Sequence, residues 1–168
     1  TNTYDIDIVS TLGLTQEDIK SLEEIEDVDQ VYGVKSRDTM IKIQSERFAA
    51  KVIEYSNEIN APVIVDGRGI ENENECLVNK SFMEASEYQI NDKIILDDNE
   101  NFKNKEFTIV GVVHSPMYIS ISGNNIGTTS LGKGTLDLYL YIDAENFDFD
   151  YYTDIYVNVK DAKNLETN

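Results

Sequence analysis

The stretch from Gly127 to Gly134 comes closest to a known chemical motif, the loop that binds nucleotide phosphates. Its sequence GTTSLGKG matches G-x-x-x-x-G-K-[ST] except that Gly134 stands where the Mg²⁺-binding hydroxyl belongs, although Thr135 follows. A phosphate loop must open a helix whose N-terminal amides face the phosphates. Residues 136–142 instead alternate apolar and polar side chains, which predicts a strand. We therefore interpret residues 122–134 as a mobile glycine-rich loop that is a candidate for partner contact.

Residues 97–108 resemble a calcium loop only in part. Asp97, Asn99 and Asn101 occupy the first three ligand positions of an EF-hand. However, Phe102 replaces the glycine of the turn, and Thr108 replaces the bidentate glutamate at position twelve. The segment therefore predicts a polar hairpin loop rather than a calcium site.

The remaining reactive side chains do not form a recognisable catalytic or metal-binding set. The chain has one histidine, His114, and one cysteine, Cys76, and their spacing from Glu71, Glu73 and Glu75 matches no known metal motif. Neither a Ser-His-Asp site nor a Cys-His site has supporting residues. A carboxylate pair for glycoside chemistry carries no specificity among 32 acidic residues. We predict that the protein is not an enzyme and needs no cofactor or metal.

The charge is strongly negative, since 14 basic residues face 32 acidic ones for a net charge of −18. Such a surface repels phosphate backbones, which argues against nucleic-acid binding. The acidity is explained either by solubility at a salt-rich or wall-facing surface or by attraction of cationic ligands such as basic peptides or divalent ions. With 168 residues, the chain is long enough for one core or for two small subdomains.

The segment from Phe107 to His114 is the most buried strand that the sequence predicts, because it is almost continuously apolar. Strict alternation places Phe107, Ile109, Gly111 and Val113 on one face. Pro116 cannot donate to a ladder, so the strand is expected to end at residue 115.

Short strands around this segment, with few short helices, predict the α+β class. A helix capped by Thr15 is expected to run to about Ile25, with Ile19, Leu22 and Ile25 on its buried face. Ser81 is expected to cap a second helix, residues 81–86. Further strands are predicted at residues 4–9, 28–34 (with a bulge at Gly33), 39–44, 63–65, 76–78, 93–96, 117–121, 136–142 (half-buried) and 154–159. Residues 49–55 are compatible with a helix, because Phe48, Val52 and Tyr55 have helical spacing, but we favour a strand there.

Three ordered motifs carry a family resemblance. The first is Val65-Asp66-Gly67-Arg68 followed by Asn74-Glu75-Cys76-Leu77-Val78, the second is Gln89-Ile90-Asn91-Asp92-Lys93-Ile94, and the third is FTIVGVVHSP from Phe107 with Tyr118. Together they resemble "eGR-x-P … nE-x-x-V", "iGD-x-I" and "f-x-I-v-G-v-v-x-s-P-x-y" of the extracytoplasmic domain of FtsX-like permeases, the MacB-type membrane subunits of ABC transporters. Ile70 departs from the family's proline and Asn91 from its glycine, although Asn tolerates the left-handed turn.

The resemblance implies a domain outside the cytoplasmic membrane, between the first and second transmembrane helices. It implies a porter-like α/β subdomain with a mixed sheet, assigned to residues 1–60 and 136–168, and an inserted β-rich subdomain, residues 61–135. It implies that the permease works as a dimer with ATPase partners in the cytosol. The domain would transmit motion outward, or it would engage a lipoprotein, a peptide or a wall-associated partner outside the cell. Candidate structural-motif or contact residues are Gly67, Arg68, Glu75, Asp92, Gly111, Pro116, Gly127 and Gly132.

A different class of function stays open beside this one. The chain is also compatible with a free-standing secreted or wall-attached binding module that uses its acidic surface on cationic ligands.

Overall fold

The structure, a computed structural model, describes residues 5–58, 61–114 and 135–160. The described parts contain strands and two short helices, and the α+β prediction is confirmed. The strands are β1 (Ile6–Leu14), β2 (Val28–Val34), β3 (Ser36–Ile43), β4 (Glu46–Glu54), β5 (Val63–Gly67), β6 (Glu75–Asn79), β7 (Lys93–Leu96), β8 (Glu106–His114), β9 (Leu138–Ile142) and β10 (Tyr152–Val159). The helices are α1 (Gln16–Glu23) and α2 (Lys80–Ala85), and a 3₁₀ turn spans Ala144–Asn146.

Seven strands form a mixed sheet in the order β5-β8-β6-β9-β4-β3-β7. Since β7 also pairs with the first residues of β8, the strands β8-β6-β9-β4-β3-β7 close into a ring, which we call the barrel. β5 pairs with the second half of β8, on the edge that β7 leaves free. The β4–β9 and β6–β8 pairs are parallel, and the other pairs are antiparallel.

The inside of the barrel is the largest apolar core. It includes Ile43, Cys76, Ile94, Phe107 and Leu140, each of which is 0% exposed. Closure removes free edges from the strands of the ring, so their backbone groups are paired without exposing a ladder to other chains.

A second sheet has the order β1-β10-β2 and carries α1 on one face. The helix begins as predicted, because Thr15 accepts a hydrogen bond from the Asp18 amide and the Asp18 carboxylate accepts one from the Thr15 amide. Ile19 packs fully against Ile155 and Val157 of β10. The three-stranded sheet therefore has its own small core beneath α1.

A third core joins this sheet to the outside of the barrel and is rich in tyrosine. Tyr156 and Val34 of the three-stranded sheet pack with Tyr139, Tyr141 and Leu77 of the barrel. The prediction that residues 136–142 form a half-exposed strand was wrong for β9, which is buried throughout. β9 lies between β4 and β6, so one face lines the barrel and the other meets the second sheet.

The two sheets are covalently connected at Lys35, the one residue between β2 and β3. Ser36 donates from its amide to Thr153 Oγ1 at 2.7 Å and from its hydroxyl to Asp154 Oδ2 at 3.1 Å. The Thr153 hydroxyl in turn donates a hydrogen bond to the carbonyl of Val34 at 3.2 Å. These bonds tie the beginning of β3 to β10, and we refer to residues 34–36 with 153–154 as the sheet junction.

Local details differ from the sequence predictions in three places. Ile25 lies beyond α1 and is 53% exposed rather than buried. Gly33 forms no bulge, since its register with Ile155 is regular; a side chain there would strike the ring of Tyr152. The cap of α2 is Asn79, not Ser81, and it makes no side-chain capping hydrogen bond.

The prediction that side chains alternate strictly between the two faces of β8 was also wrong, because the strand contains a bulge. The register of β6 with β8 shifts between Cys76 and Leu77, which leaves Val110 as an extra residue. Phe107 and Ile109 therefore point into the barrel, whereas Val113 packs in the tyrosine-rich core.

The predicted subdomain boundaries at residues 60 and 136 do not coincide with the division between the sheets. β3, β4 and β9 fall in the segments assigned to the porter-like subdomain, yet they pair within the barrel. The division of the chain into two subdomains stays a prediction.

Candidate functional site

Arg68 and Glu75 form an ion pair at one end of the barrel, where β5 ends and β6 begins. The guanidinium donates to both carboxylate oxygens, through Nη1 to Oε1 at 3.0 Å and through Nη2 to Oε2. The Arg68 side chain is 44% exposed and that of Glu75 only 9%. This fork geometry fixes both side chains better than a single contact does.

The Glu75 carboxylate also holds the loop that connects the two strands. The backbone amides of Glu71 and Asn72 each donate to Oε1 at 2.9 Å. Arg68 first, with help from these amides, lowers the pKa of Glu75 to about 2. The carboxylate therefore stays ionised at neutral pH and serves as a fixed acceptor rather than as a general acid.

Gly67 and Gly111 lie opposite each other where β5 meets β8. Gly67 has a φ of +73°, and the following amide of Arg68 donates to the carbonyl of Val110 at 3.0 Å. A β-carbon on Gly111 would lie under 3.0 Å from the Arg68 carbonyl oxygen and from Leu77. Both glycines are thus required by close backbone approach.

Asp92 belongs to a turn that packs against the same part of β8. Its carboxylate accepts from the Gln89 amide at 2.9 Å, and its carbonyl accepts from the Ile109 amide at 2.9 Å. Asn91 takes the left-handed conformation with a φ of +85° and donates its amide to the Ile109 carbonyl. The substitution of asparagine for the family's glycine is therefore accommodated.

The structure brings five of the eight candidate residues together around residues 109–111 of β8, namely Gly67, Arg68, Glu75, Asp92 and Gly111. Apart from the ion pair between Arg68 and Glu75, their hydrogen bonds all involve a backbone group. The cluster is therefore suited to fixing the shape of this end of the barrel. Pro116, Gly127 and Gly132, like the predicted strand at residues 117–121, lie outside the described residues.

The predicted hairpin between β7 and β8 is confirmed. The two strands pair antiparallel, and the Asp98 carboxylate accepts from the amides of Glu100 and Asn101 within the connection. In the part of the chain that the structure describes, no group of three or more histidine, cysteine, aspartate or glutamate side chains could hold a metal ion.

A cleft of about 630 Å³ lies beside the β3–β4 turn and the segment that follows α2. Three rings and three carboxylates line it: Phe48, Phe82, Tyr88, Glu46, Glu87 and Asp137. Sequence reasoning missed this site, because its residues come from three separate segments and each looks like an ordinary core or surface position.

Acidic side chains also gather beside the sheet junction. Asp154 and Asp38 are buried, and Lys51 lies 3.5 Å from the Asp38 carboxylate. Partial desolvation first, and then the neighbouring Asp154, raise the pKa of Asp7 to about 7. Burial is also the main cause of the raised pKa of Asp154. The raised pKa values of Asp7 and Asp154 make the stability of this region sensitive to pH.

A comparison with protein families shows which family the chain is related to. The family described as the MacB-like periplasmic core domain matches residues 1–167. The chain belongs to this family. The resemblance to an extracytoplasmic domain of an ABC transporter permease is thereby confirmed. No curated protein matches the chain.

Two solved structures of domains that lie outside the cytoplasm share the fold. The extracellular domain of the noncanonical ABC-type transporter YknZ from Gram-positive bacteria is 12% identical, with a TM-score of 0.56, over 94% of this chain and 79% of that one. The periplasmic region of MacB from Actinobacillus actinomycetemcomitans is 13% identical, with a TM-score of 0.50, over 95% of this chain and 71% of that one. At these identities the likeness concerns the fold.

This MacB-like domain is thus an extracellular domain of a membrane transporter. None of its helices within residues 5–58, 61–114 and 135–160 has the length and apolar character needed to cross a membrane.

Proposed function

We propose that the chain is the non-catalytic extracellular domain of an FtsX/MacB-like permease in the cytoplasmic membrane, where it transmits ATP-driven conformational change and engages a partner. The observation that carries the proposal is the pairing of the first and last strands. The Asp5 amide donates to the Val157 carbonyl at 3.0 Å, and the Asp5 carboxylate accepts from the Val159 amide at 2.8 Å. The two ends of the described chain therefore lie side by side, and both can connect to the membrane at one place.

The route of transmission follows from this arrangement. Movement of two membrane helices would act on β1 and β10, and β10 is hydrogen-bonded to the beginning of β3 through Ser36. The tyrosine-rich core adds an apolar contact between the three-stranded sheet and the barrel. A displacement at the membrane would thus be passed to the barrel as one body, since packed interfaces deform little.

The partners follow from the same role. In the full-length permease the domain would work with a cytoplasmic ATP-binding subunit and face a second copy in a dimer. The barrel, farther along the route from the paired ends, would contact a lipoprotein, a peptide or a wall-associated protein outside the cell. The chemistry of ATP hydrolysis would belong to the cytoplasmic subunit, and the domain itself would catalyse no reaction.

Cysteine labelling in intact cells tests the placement. Asn99 lies in the exposed β7–β8 connection, so Asn99→Cys in a Cys76→Ser background of the full-length protein should react with a membrane-impermeant maleimide, with the protein in the membrane fraction. The full-length protein that carries Cys76→Ser alone is the matched control and sets the background reaction. Reaction only after lysis would overturn the placement, and recovery in the soluble fraction would favour a free-standing module.

Spin labels test the transmission of motion. A label at Asn99→Cys in both copies of the purified transporter should give a different interlabel distance in the nucleotide-free and ATP-trapped states. An unchanged distance distribution would contradict the role in transmission.

A further inference from the structure

We propose that the cleft between the β3–β4 turn and the α2–β7 connection binds a basic side chain of a cationic peptide. The aliphatic part of a lysine or arginine would lie against the rings of Phe48, Phe82 and Tyr88. Its charged group would lie among the carboxylates of Glu46, Glu87 and Asp137. The proposal names a ligand class and a site for the partner contact, and for its biological setting it rests on the proposed function.

The floor of the cleft is a fixed aromatic cluster. Phe48 meets Phe82 edge to face, with ring centroids 5.1 Å apart, and meets Tyr88 in the same way at 6.0 Å. Phe82 and Tyr88 are buried, and Phe48 is half-buried. Aromatic surface of this kind favours the alkyl stem of a basic side chain and attracts its cationic head group.

Two of the three carboxylates of the cleft are held by hydrogen bonds, and among the described residues none of the three forms an ion pair with a basic side chain. Glu46 accepts from the Tyr88 hydroxyl at 2.6 Å, and Asp137 accepts from the Ala49 amide at 2.8 Å. Among the described residues, the Glu87 side chain has no hydrogen-bond or ion-pair partner. Each ionised carboxylate has further acceptor positions, which could receive the N–H groups of a ligand.

No lysine, arginine or histidine lies among the described residues that line this cleft. A second cleft, of about 620 Å³, differs from the first because a basic residue, Lys80, lines it. There the ammonium of Lys80 lies 3.5 Å from the carboxylate of Glu84, so part of the acidic charge is already paired. Unopposed negative charge above an aromatic floor thus distinguishes the first cleft.

The size and the chemistry of the cleft favour an organic cation over a metal ion. A volume of about 630 Å³ falls within the range of small-ligand pockets and is far larger than a metal site needs. The three carboxylates also form no metal-binding group within the described part of the chain. Complementarity to the net charge of −18 would bring cationic peptides to the surface before they enter the cleft.

The test is an NMR titration of the ¹⁵N-labelled 168-residue chain with the peptide acetyl-Gly-Arg-Gly-amide. The neutral control peptide carries citrulline, which has nearly the shape of arginine without its charge. We expect saturable amide shift changes near residues 44–48, 81–88 and 137 with the arginine peptide and none with citrulline. Glu87→Gln and Glu46→Gln should each weaken binding about two- to fivefold, as for exposed ion pairs.

The matched control variant is Glu23→Gln at the end of α1, which removes the same charge from the helix on the three-stranded sheet. It should bind as the unmodified chain does. Phe48→Leu should weaken binding while the carboxylates remain. Shift changes spread over the whole acidic surface, equal binding of the citrulline peptide, or equal effects of Glu23→Gln and Glu87→Gln would each overturn the proposal. Since the titration needs neither membrane nor ATP, its failure leaves the transporter role untouched.

Discussion

Gly67 and Gly111 are register partners across β5 and β8, and each leaves space for the backbone of the opposite segment. A β-carbon on Gly67 would strike the carbonyl oxygen of Val110, and one on Gly111 would strike that of Arg68. The close approach is therefore reciprocal, and it places Arg68 where it reaches Glu75.

Gly111→Ala tests this close approach. The new methyl group would meet backbone rather than a movable side chain, so we expect the free energy of unfolding to fall by about 1–3 kcal/mol. Urea unfolding followed by circular dichroism measures the change. Gly69→Ala is the matched control, because its β-carbon would lie 3.3 Å from the Tyr55 hydroxyl and 3.4 Å from Ile64, with no backbone in the way. Equal stability of the two variants would contradict the close packing of β5 on β8.

Glu75→Gln tests the ion pair with Arg68. The pKa of Glu75 in the folded chain is about 2, below its ordinary value of 4.5, so the unfolded chain binds more protons between these pH values. The contribution to stability is therefore present above pH 4.5 and is lost as the pH falls toward 2. The urea midpoint of the variant should lie below that of the unmodified chain at pH 7, and the gap should close in acid. Glu73→Gln, an exposed neighbour, should show no such gap.

Asp7→Asn tests the acidic region beside the sheet junction, where Asp154, Asp38 and Lys51 lie nearby. The pKa of Asp7 is raised from 3.8 to about 7, so the folded chain binds more protons between these pH values. Stability from this group is complete below pH 3.8 and is lost as the pH rises to about 7. Relative to the unmodified chain, Asp7→Asn should therefore gain stability as the pH rises.

The readout for Asp7 is the difference between two stability curves, because other acids also titrate in this range. Urea unfolding at several pH values between 4 and 7.5 supplies these curves. Asp29→Asn on the exposed side of β2 removes the same charge and should give a curve parallel to that of the unmodified chain. Parallel curves for Asp7→Asn would show that Asp7 is not desolvated.

Cys76 should report on opening of the barrel. It is fully buried, and burial raises the pKa of its thiol well above the usual range. We expect reaction with a thiol reagent to be slower than in the urea-unfolded chain by at least about a thousandfold, since the open state of a stable domain is rare. Kinetics of labelling with and without urea measure the ratio. Rapid labelling of the native chain would contradict a closed, packed barrel.

Local signals in the sequence predicted much of the secondary structure. Thr15 and Asp18 formed the expected capping box, and β7 and the β2 segment have the predicted bounds. β8 begins one residue earlier than predicted and ends at His114. These features depend on residues close together in the chain, which is why periodicity and capping rules suffice for them.

The pairing of distant segments could not be predicted in the same way. Nothing in the alternation of residues 136–142 reveals that β9 lies between β4 and β6, and the two tyrosines look like surface residues until the second sheet covers them. The bulge at Val110 likewise depends on the register with β6. Phe48, Tyr88 and Asp137 line one cleft only because the closed barrel brings their three segments together.

The position of β10 in the middle of its sheet sets the order in which the chain can fold during synthesis. β1 and β2 do not pair with each other in that sheet; each pairs with β10, whose residues are among the last of the described chain to leave the ribosome. The first strand must therefore wait for more than a hundred residues, from Ile6 to Tyr152, before its partner exists. Such pairings between distant segments slow folding. The alternating, partly exposed β1 would need protection from other chains throughout that interval.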